Sequence, residues 1–189
     1  GIKIILKDKS YITDEQLSVW SPFPILELTE DNPYYSTKNG CLLSKDRLVL
    51  VKYPSAISGT VHIPDGIETI TSYAFTLSEA EEVCFPDSLR VLMPKCFCLC
   101  NKLKKVDFGH GIEEIGIGHD CRLFMRCSML HEIEIPSQVR IIGESAFLET
   151  EISKVTFHEG LTQIMDYAFK QSCIKKVTLP ASLKYIGIQ

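Results

Sequence analysis

The sequence predicts an α/β repeat solenoid, a right-handed coil with a parallel, concave β-sheet on one side and short helical turns opposite. Three recurrences carry that expectation. A short extended frame appears six times, as Val61-His-Ile63-Pro64, Val83-Cys-Phe85-Pro86, Val106-Asp-Phe108-Gly109, Ile133-Glu-Ile135-Pro136, Val155-Thr-Phe157-His158 and Val177-Thr-Leu179-Pro180. A second frame follows it, as Ile67-Glu-Thr-Ile70, Leu89-Arg-Val-Leu92, Ile112-Glu-Glu-Ile115, Val139-Arg-Ile-Ile142, Leu161-Thr-Gln-Ile164 and Leu183-Lys-Tyr-Ile186. Then comes Ala74-Phe75, Ala146-Phe147 or Ala168-Phe169, replaced by Cys96-Phe97 and Leu123-Phe124 in two units. The first frames start 22, 23, 27, 22 and 22 residues apart. A fixed period of this size means a coil whose turns rest on their neighbours.

Each part has a physical role. In the extended frame alternate side chains point to opposite faces, so Val106 and Phe108 turn inward and Asp107 outward. Proline at the frame's end blocks further pairing and turns the chain. The ends of Ile112-Glu-Glu-Ile115 and its equivalents face the interior from another side. Thr71, Ser72, Glu144, Ser145 and Asp166, just before the Ala-Phe pair, suit the start of a short helical turn. Phenylalanine then plugs the coil and alanine lets the backbone come close. Stacked strands repeat at about 4.8 Å, whereas full helices need about 10 Å. That mismatch would bend the coil with its strands inside.

The motif Ile135-Pro-Ser-Gln-Val139-Arg-Ile-Ile142-Gly-Glu-Ser-Ala-Phe147 resembles the BspA-like branch of the leucine-rich repeat superfamily. So does the stretch Leu26-Glu-Leu28-Thr-Glu-Asp-Asn-Pro33, followed by Asn39-Gly-Cys-Leu-Leu-Ser-Lys-Asp46 and Leu48-Val-Leu-Val-Lys-Tyr-Pro54. It is similar to that family's longer repeat, which implies a β-hairpin before the coil resumes at Val61. Residues 1–22 then read as an N-terminal cap or flanking segment, with a short capping helix over Asp14–Trp20. Residues 23–60 form the longer first repeat with its hairpin. Residues 61–189 form a leucine-rich repeat solenoid of about six turns, the last one incomplete at Gln189, where the array ends frayed or the natural chain continues. The third unit carries additions around Gly116-Ile-Gly-His-Asp120, and a bulge or loop is expected to interrupt the stack there.

Composition narrows the function. Apolar residues make up 45% of the 189 residues and charged residues 23%, which suits a packed interior rather than disorder. A net charge of −4 does not suit a general nucleic-acid binder. No run of about 18 apolar residues is present, so no membrane insertion is expected. Ile2-Lys-Ile-Ile-Leu6 is too short for a secretion leader, which would already have been removed.

Several clusters invite chemistry and have a plainer reading beside it. Of the eight cysteines, Cys100, Cys127 and Cys173 fall at repeat positions, where small buried hydrophobes fit; disulfides are the alternative. Cys96-x-Cys98-x-Cys100 lacks the usual zinc spacing. His110, His119, Asp120 and Cys121 gather in the irregular unit and could ligate a metal or form a nucleophile pair, but turn and insertion residues explain them. Glu113-Glu114 and Glu132 with Glu134 could be hydrolytic pairs, but a solvated strand face accounts for them. No catalytic residue, metal or cofactor is expected, and the chain reads as no enzyme.

What remains is the outward ladder. It comprises His62, Cys84, Asp107, Glu134, Thr156 and Thr178, flanked by Glu82, Lys105, Glu132, Lys154 and Lys176. Such a face suits a protein or glycan partner better than a small molecule needing a deep pocket. The family resemblance implies surface-exposed or secreted adhesion proteins, and so an extracellular location with a host or matrix protein as partner. A structural spacer with no ligand of its own is the other reading.

Overall fold

The computed structural model describes residues 3–6, 11–13, 16–17, 23–116 and 118–189. Its strands, in chain order, are β1 (Lys3–Leu6), β2 (Ile25–Leu28), β3 (Tyr35–Lys38), β4 (Cys41–Ser44), β5 (Val49–Lys52), β6 (Gly59–His62), β7 (Thr69–Ile70) and β8 (Ala80–Cys84). They continue as β9 (Val91–Leu92), β10 (Lys105–Asp107), β11 (Glu114–Ile115), β12 (Glu132–Ile135), β13 (Ile141–Ile142), β14 (Lys154–Phe157), β15 (Gln163–Ile164) and β16 (Tyr185–Ile186). Together they build a three-walled β-solenoid.

The first wall holds the extended frames, with β6–β8–β10 and β12–β14 each paired in parallel. The second holds the shorter frames, as β5–β7–β9 and then β11–β13–β15–β16. The third is a column of rings. Tyr53, Phe75, Phe97, Phe124, Phe147 and Phe169 stack in sequence at centroid separations of 4.5, 4.5, 5.3, 5.3 and 5.1 Å. One continuous apolar core runs between the walls from Cys41 to Ala168.

The expected helical turns are absent from the third wall, and the α/β reading is corrected to a β-solenoid. Among the described residues only Gln16 and Leu17 are helical. The reason lies in the backbone hydrogen bonds. Ser145, Phe147 and Glu149 donate to Asp166, Ala168 and Lys170 of the next coil at 3.0, 2.8 and 2.9 Å. Between them Ala146 and Leu148 close tight turns on Gly143 and Ser145. An α-helix would spend all these N–H groups within its own coil; here stacking claims every second one. The alternation needs left-handed residues four apart, at φ 59° and 59° for Tyr73 and Leu77, 63° and 62° for Lys95 and Leu99, 57° and 56° for Ser145 and Glu149. None is a glycine, so nothing in the sequence marked them. Without helices the spacing mismatch also disappears. The rings repeat at nearly the strand spacing, so the wall opposite the strands gives no cause for the concavity expected of the first wall.

The hairpin expected before the coil is present. β3 and β4 pair antiparallel around Asn39 and Gly40, at φ 52° and 78°, the two-residue turn that matches strand twist. A separate small core gathers Ile12, Leu17, Phe23, Leu26, Tyr35 and Leu42. Thr13 and Gln16 cap each other reciprocally, Gln16 Oε1 accepting from Thr13 N at 2.9 Å and Thr13 Oγ1 from Gln16 N at 3.2 Å. The rest of the capping helix expected over Asp14–Trp20 lies outside the described residues.

The irregular unit interrupts the stack in two places. The first wall breaks between β10 and β12, and the second between β9 and β11. Only the ring column crosses unbroken. The last expected strand, over Ile174–Leu179, does not form. Val177 and Leu179 stay 37% and 43% exposed, so the burial that seats the earlier rungs is half made.

Candidate functional site

Strand alternation sets the chemistry of the first wall. Val61, Val83, Val106, Phe108, Ile133 and Ile135 are buried beneath it. His62, Asp107, Glu134 and Thr156 stand exposed above, and Cys84 is half-buried. Pairing fixes their alignment, with His62 beside Cys84, Cys84 beside Asp107, and Glu134 beside Thr156. In the flanking row Glu82 aligns with Lys105, and Glu132 with Lys154. Lys176 and Thr178 are a correction: they lie outside any strand, because their rung does not pair, although both are exposed.

The face is not uniform. An open groove of about 860 Å³ runs along the break between β10 and β12, and Lys105, Asp107, Glu132, Glu134, Lys154 and Thr156 all line it. His62 and Cys84 line a separate hollow of about 440 Å³. Lys176 and Thr178 share one of about 640 Å³ with Lys154 and Thr156. Glu82 lines none of the three. The main groove also takes in Gln138 and His158, which sequence reasoning did not single out. The 27-residue spacing of the third unit was the available signal, since it marks where the ladder opens.

Charges in the groove balance and pair along the coil axis. Lys154 Nζ lies 2.9 Å from Glu132 Oε2, and His158 Nε2 lies 2.8 Å from Glu134 Oε1. Lys104 Nζ reaches Glu81 Oε2 at 2.6 Å, and this bond holds the Glu81 carboxyl below its ordinary range. These are exposed pairs, each contributing little to stability.

The cysteines are not a reactive centre. All eight are free thiols. Cys41, Cys96, Cys98, Cys100, Cys121 and Cys127 are buried, as small core residues. Cys100 Sγ donates to Phe75 O at 3.0 Å and Cys127 Sγ to Phe97 O at 3.2 Å, each one coil back. Burial pushes the Cys96 and Cys127 thiols well above the ordinary range. On the face itself, burial and then the Asp107 and Glu82 carboxylates push Cys84 up, away from the thiolate that nucleophilic chemistry needs.

The other clusters disperse. His110 Nδ1 pairs with Asp87 at 2.9 Å and His119 Nδ1 with Glu144 at 3.1 Å, each on a different neighbouring coil. Cys121 is buried. Among the described residues no three potential ligands come together to hold a metal. Glu132 and Glu134 stand along one strand, and Glu114 lies on β11, in the other wall. No described helix is long and apolar enough to cross a membrane.

The family model for the BspA type leucine-rich repeat region matches residues 55–119 and 117–189, in six copies. The chain belongs to the BspA-type leucine-rich repeat family. Solved structures of similar fold include bacterial proteins. A leucine-rich repeat protein from Eubacterium ventriosum is 21% identical over 87% of this chain and 50% of its own, with a TM-score of 0.63. A leucine rich cell surface protein from Faecalibacterium prausnitzii is 24% identical over 86% and 41%, with a TM-score of 0.61. The T. pallidum leucine rich repeat protein is 20% identical over 84% and 85%, with a TM-score of 0.54. At these identities the likeness is one of fold. The chain spans half or less of the first two structures. No curated protein matches the sequence. In this BspA-type chain the residues that recur from coil to coil, such as Val106, Phe108, Ile112 and Ile115, are buried, while the exposed ladder residues between them differ from coil to coil.

Proposed function

We propose that this BspA-type repeat chain is a non-catalytic interaction module that binds a protein partner on the exposed face of its first wall, in adhesion at a cell surface or outside the cell. The observation that carries the reading is the ladder itself. A rigid core fixes exposed polar side chains at regular spacing, and a preorganised face loses little entropy on binding. The groove at β10 and β12 carries three lysines and three carboxylates (Lys104, Lys105, Lys154, Asp107, Glu132 and Glu134). That balance suits a polypeptide of mixed charge and does not suit a phosphate backbone.

A glycan partner is the weaker alternative. Sugar recognition leans on exposed aromatic rings, and the one phenyl ring lining the groove, Phe108, is buried in the core. The surface role draws support from the structural neighbour from F. prausnitzii, which is described as a cell surface protein.

The test is a binding screen against immobilised matrix proteins and glycans, with the intact chain and a variant carrying Lys105→Glu, Lys154→Glu and Glu134→Lys. The expected result is binding to a protein that the triple variant loses by tenfold or more. Binding to such a protein that the triple variant retains would remove this face; no binding to any of the proteins or glycans would favour the spacer role.

A further inference from the structure

The break in the first wall leaves two strand edges facing one another. β10 ends the sheet β6–β8–β10, and β12 begins the sheet β12–β14. No strand pairing and no salt bridge joins them among the described residues. Edge strands present N–H and C=O groups ready to accept another strand. Beneath them the floor is intact, since Val106, Phe108, Ile133 and Ile135 remain buried. The result is a slot with an apolar floor and hydrogen-bonding walls.

Two further observations say what fits. First, the chain already places an amide at one end of the slot: Gln138 Nε2 donates to Gly109 O at 2.7 Å, bridging the two coils where ladder bonds are missing. Second, among the described residues Lys105 makes no salt bridge, although Glu82 lies beside it in register. Its counterpart one coil on, Glu132, is taken by Lys154 at 2.9 Å, and among the described residues no carboxylate lies within salt-bridge distance of Lys105. The companion break in the second wall offers no such slot. Arg90 Nη1 there donates to Asp87 O at 2.5 Å and Leu89 O at 3.0 Å, and the backbone of Gly111 lies against the same carbonyls.

We propose that the seam between β10 and β12 takes an extended polypeptide segment, whose backbone amides pair with the free strand edges and which carries a carboxylate toward Lys105. This rests on the reading of the first wall as a protein-binding face, and names the form in which the partner docks. Strand addition needs a donor and an acceptor repeated along an extended backbone, which a glycan does not supply. A strand lodged between two others needs them about 9.6 Å apart, twice the usual spacing. Parting β10 from β12 breaks no ladder bond between them; among the described residues the Gln138–Gly109 bridge is the hydrogen bond across the seam that must yield, while β11–β13 pairing and the Phe124 N–H donating to Ala146 O keep the two coils joined on the other walls.

The probe is a fluorescent peptide copying residues 129–136, the rung that follows β10 in sequence and carries a carboxylate at the register of Lys105. Its binding to the full chain is read by anisotropy, beside a copy N-methylated at alternate residues and beside the Lys105→Glu variant, whose melting curve confirms folding. A benzophenone on the peptide maps the contact by mass spectrometry. The expected result is binding weakened at least tenfold by N-methylation and severalfold by Lys105→Glu, with crosslinks within residues 104–110 or 129–138. Equal binding of the methylated copy, crosslinks at residues 172–188, or no binding would overturn the proposal. A partner from the matrix screen that the peptide does not displace would also overturn it, while leaving the protein-binding face in place.

Discussion

Phe147 lies face to face with Phe124, their ring planes 4° apart and their centroids at 5.3 Å. This contact joins the irregular third unit to the regular array after it, at a level where the first wall's ladder is broken. Phe147 is fully buried and also stacks on Phe169. Replacing it with alanine removes one link from a column that no other residue can fill. Phe147→Ala is expected to lower stability by about 3–5 kcal/mol, measured by urea titration. A loss under about 1 kcal/mol would contradict the plug role.

Leu77 distinguishes the left-handed turns from the helical turns the sequence suggested. It is exposed, at φ 59°. In that conformation an L-residue is strained by roughly 1–2 kcal/mol, and glycine is not. Leu77→Gly is therefore expected to leave stability unchanged or raise it by up to about 1 kcal/mol. Within a helix the same change would lower it by about 1 kcal/mol. A thermal melt of the variant reads the sign.

The buried thiols make the fold sensitive to alkali. Burial pushes the Cys41 thiol up to about 12. Its proton is held more tightly folded than unfolded. Its contribution is therefore full at pH 7 and is lost as pH rises from about 8.5, where an unfolded cysteine ionises, toward 12. Urea midpoints are expected to fall between pH 8 and 10, and to fall less steeply in Cys41→Ala. Equal slopes for both would remove Cys41 as a source.

Thiol labelling has an ordered outcome. Cys173 is exposed, and Cys84 half-buried. Cys173 Sγ donates to Glu151 Oε2 at 3.1 Å, and that bond raises its pKa. With a disulfide-forming reagent at pH 8, Cys173 is expected to react first, faster in Glu151→Gln, and Cys84 next. The other six should react only on unfolding, for a total of eight. A total below eight in denaturant without reductant would mean that disulfides exist.

The repeat frames were legible because burial repeats in the sequence as it does in space. Val106, Phe108, Ile112 and Ile115 had to point inward once the period was seen, and they do. The 27-residue unit marked where the ladder would be disturbed. Two matters were not legible. Tyr73, Lys95 and Ser145 take left-handed conformations that their side chains do not favour, because the neighbouring coil claims the N–H groups between them. Lys176 sits in the same frame as Lys105 and Lys154, yet its rung does not pair. For the candidate face, the sequence named the ladder residues; it did not show that six of them share a groove while His62, Cys84 and Glu82 stand apart.

By itself the amino-acid sequence determined the period, the inward residues of the inner coils and the family, since each follows from which side chains avoid water; at the last coil Val177, Leu179 and Ile186 stay exposed. The tertiary structure decided the third wall and the seam. Both depend on where each backbone N–H finds its acceptor, and in a stacked coil that acceptor lies some 22 residues away, beyond the reach of any local pattern.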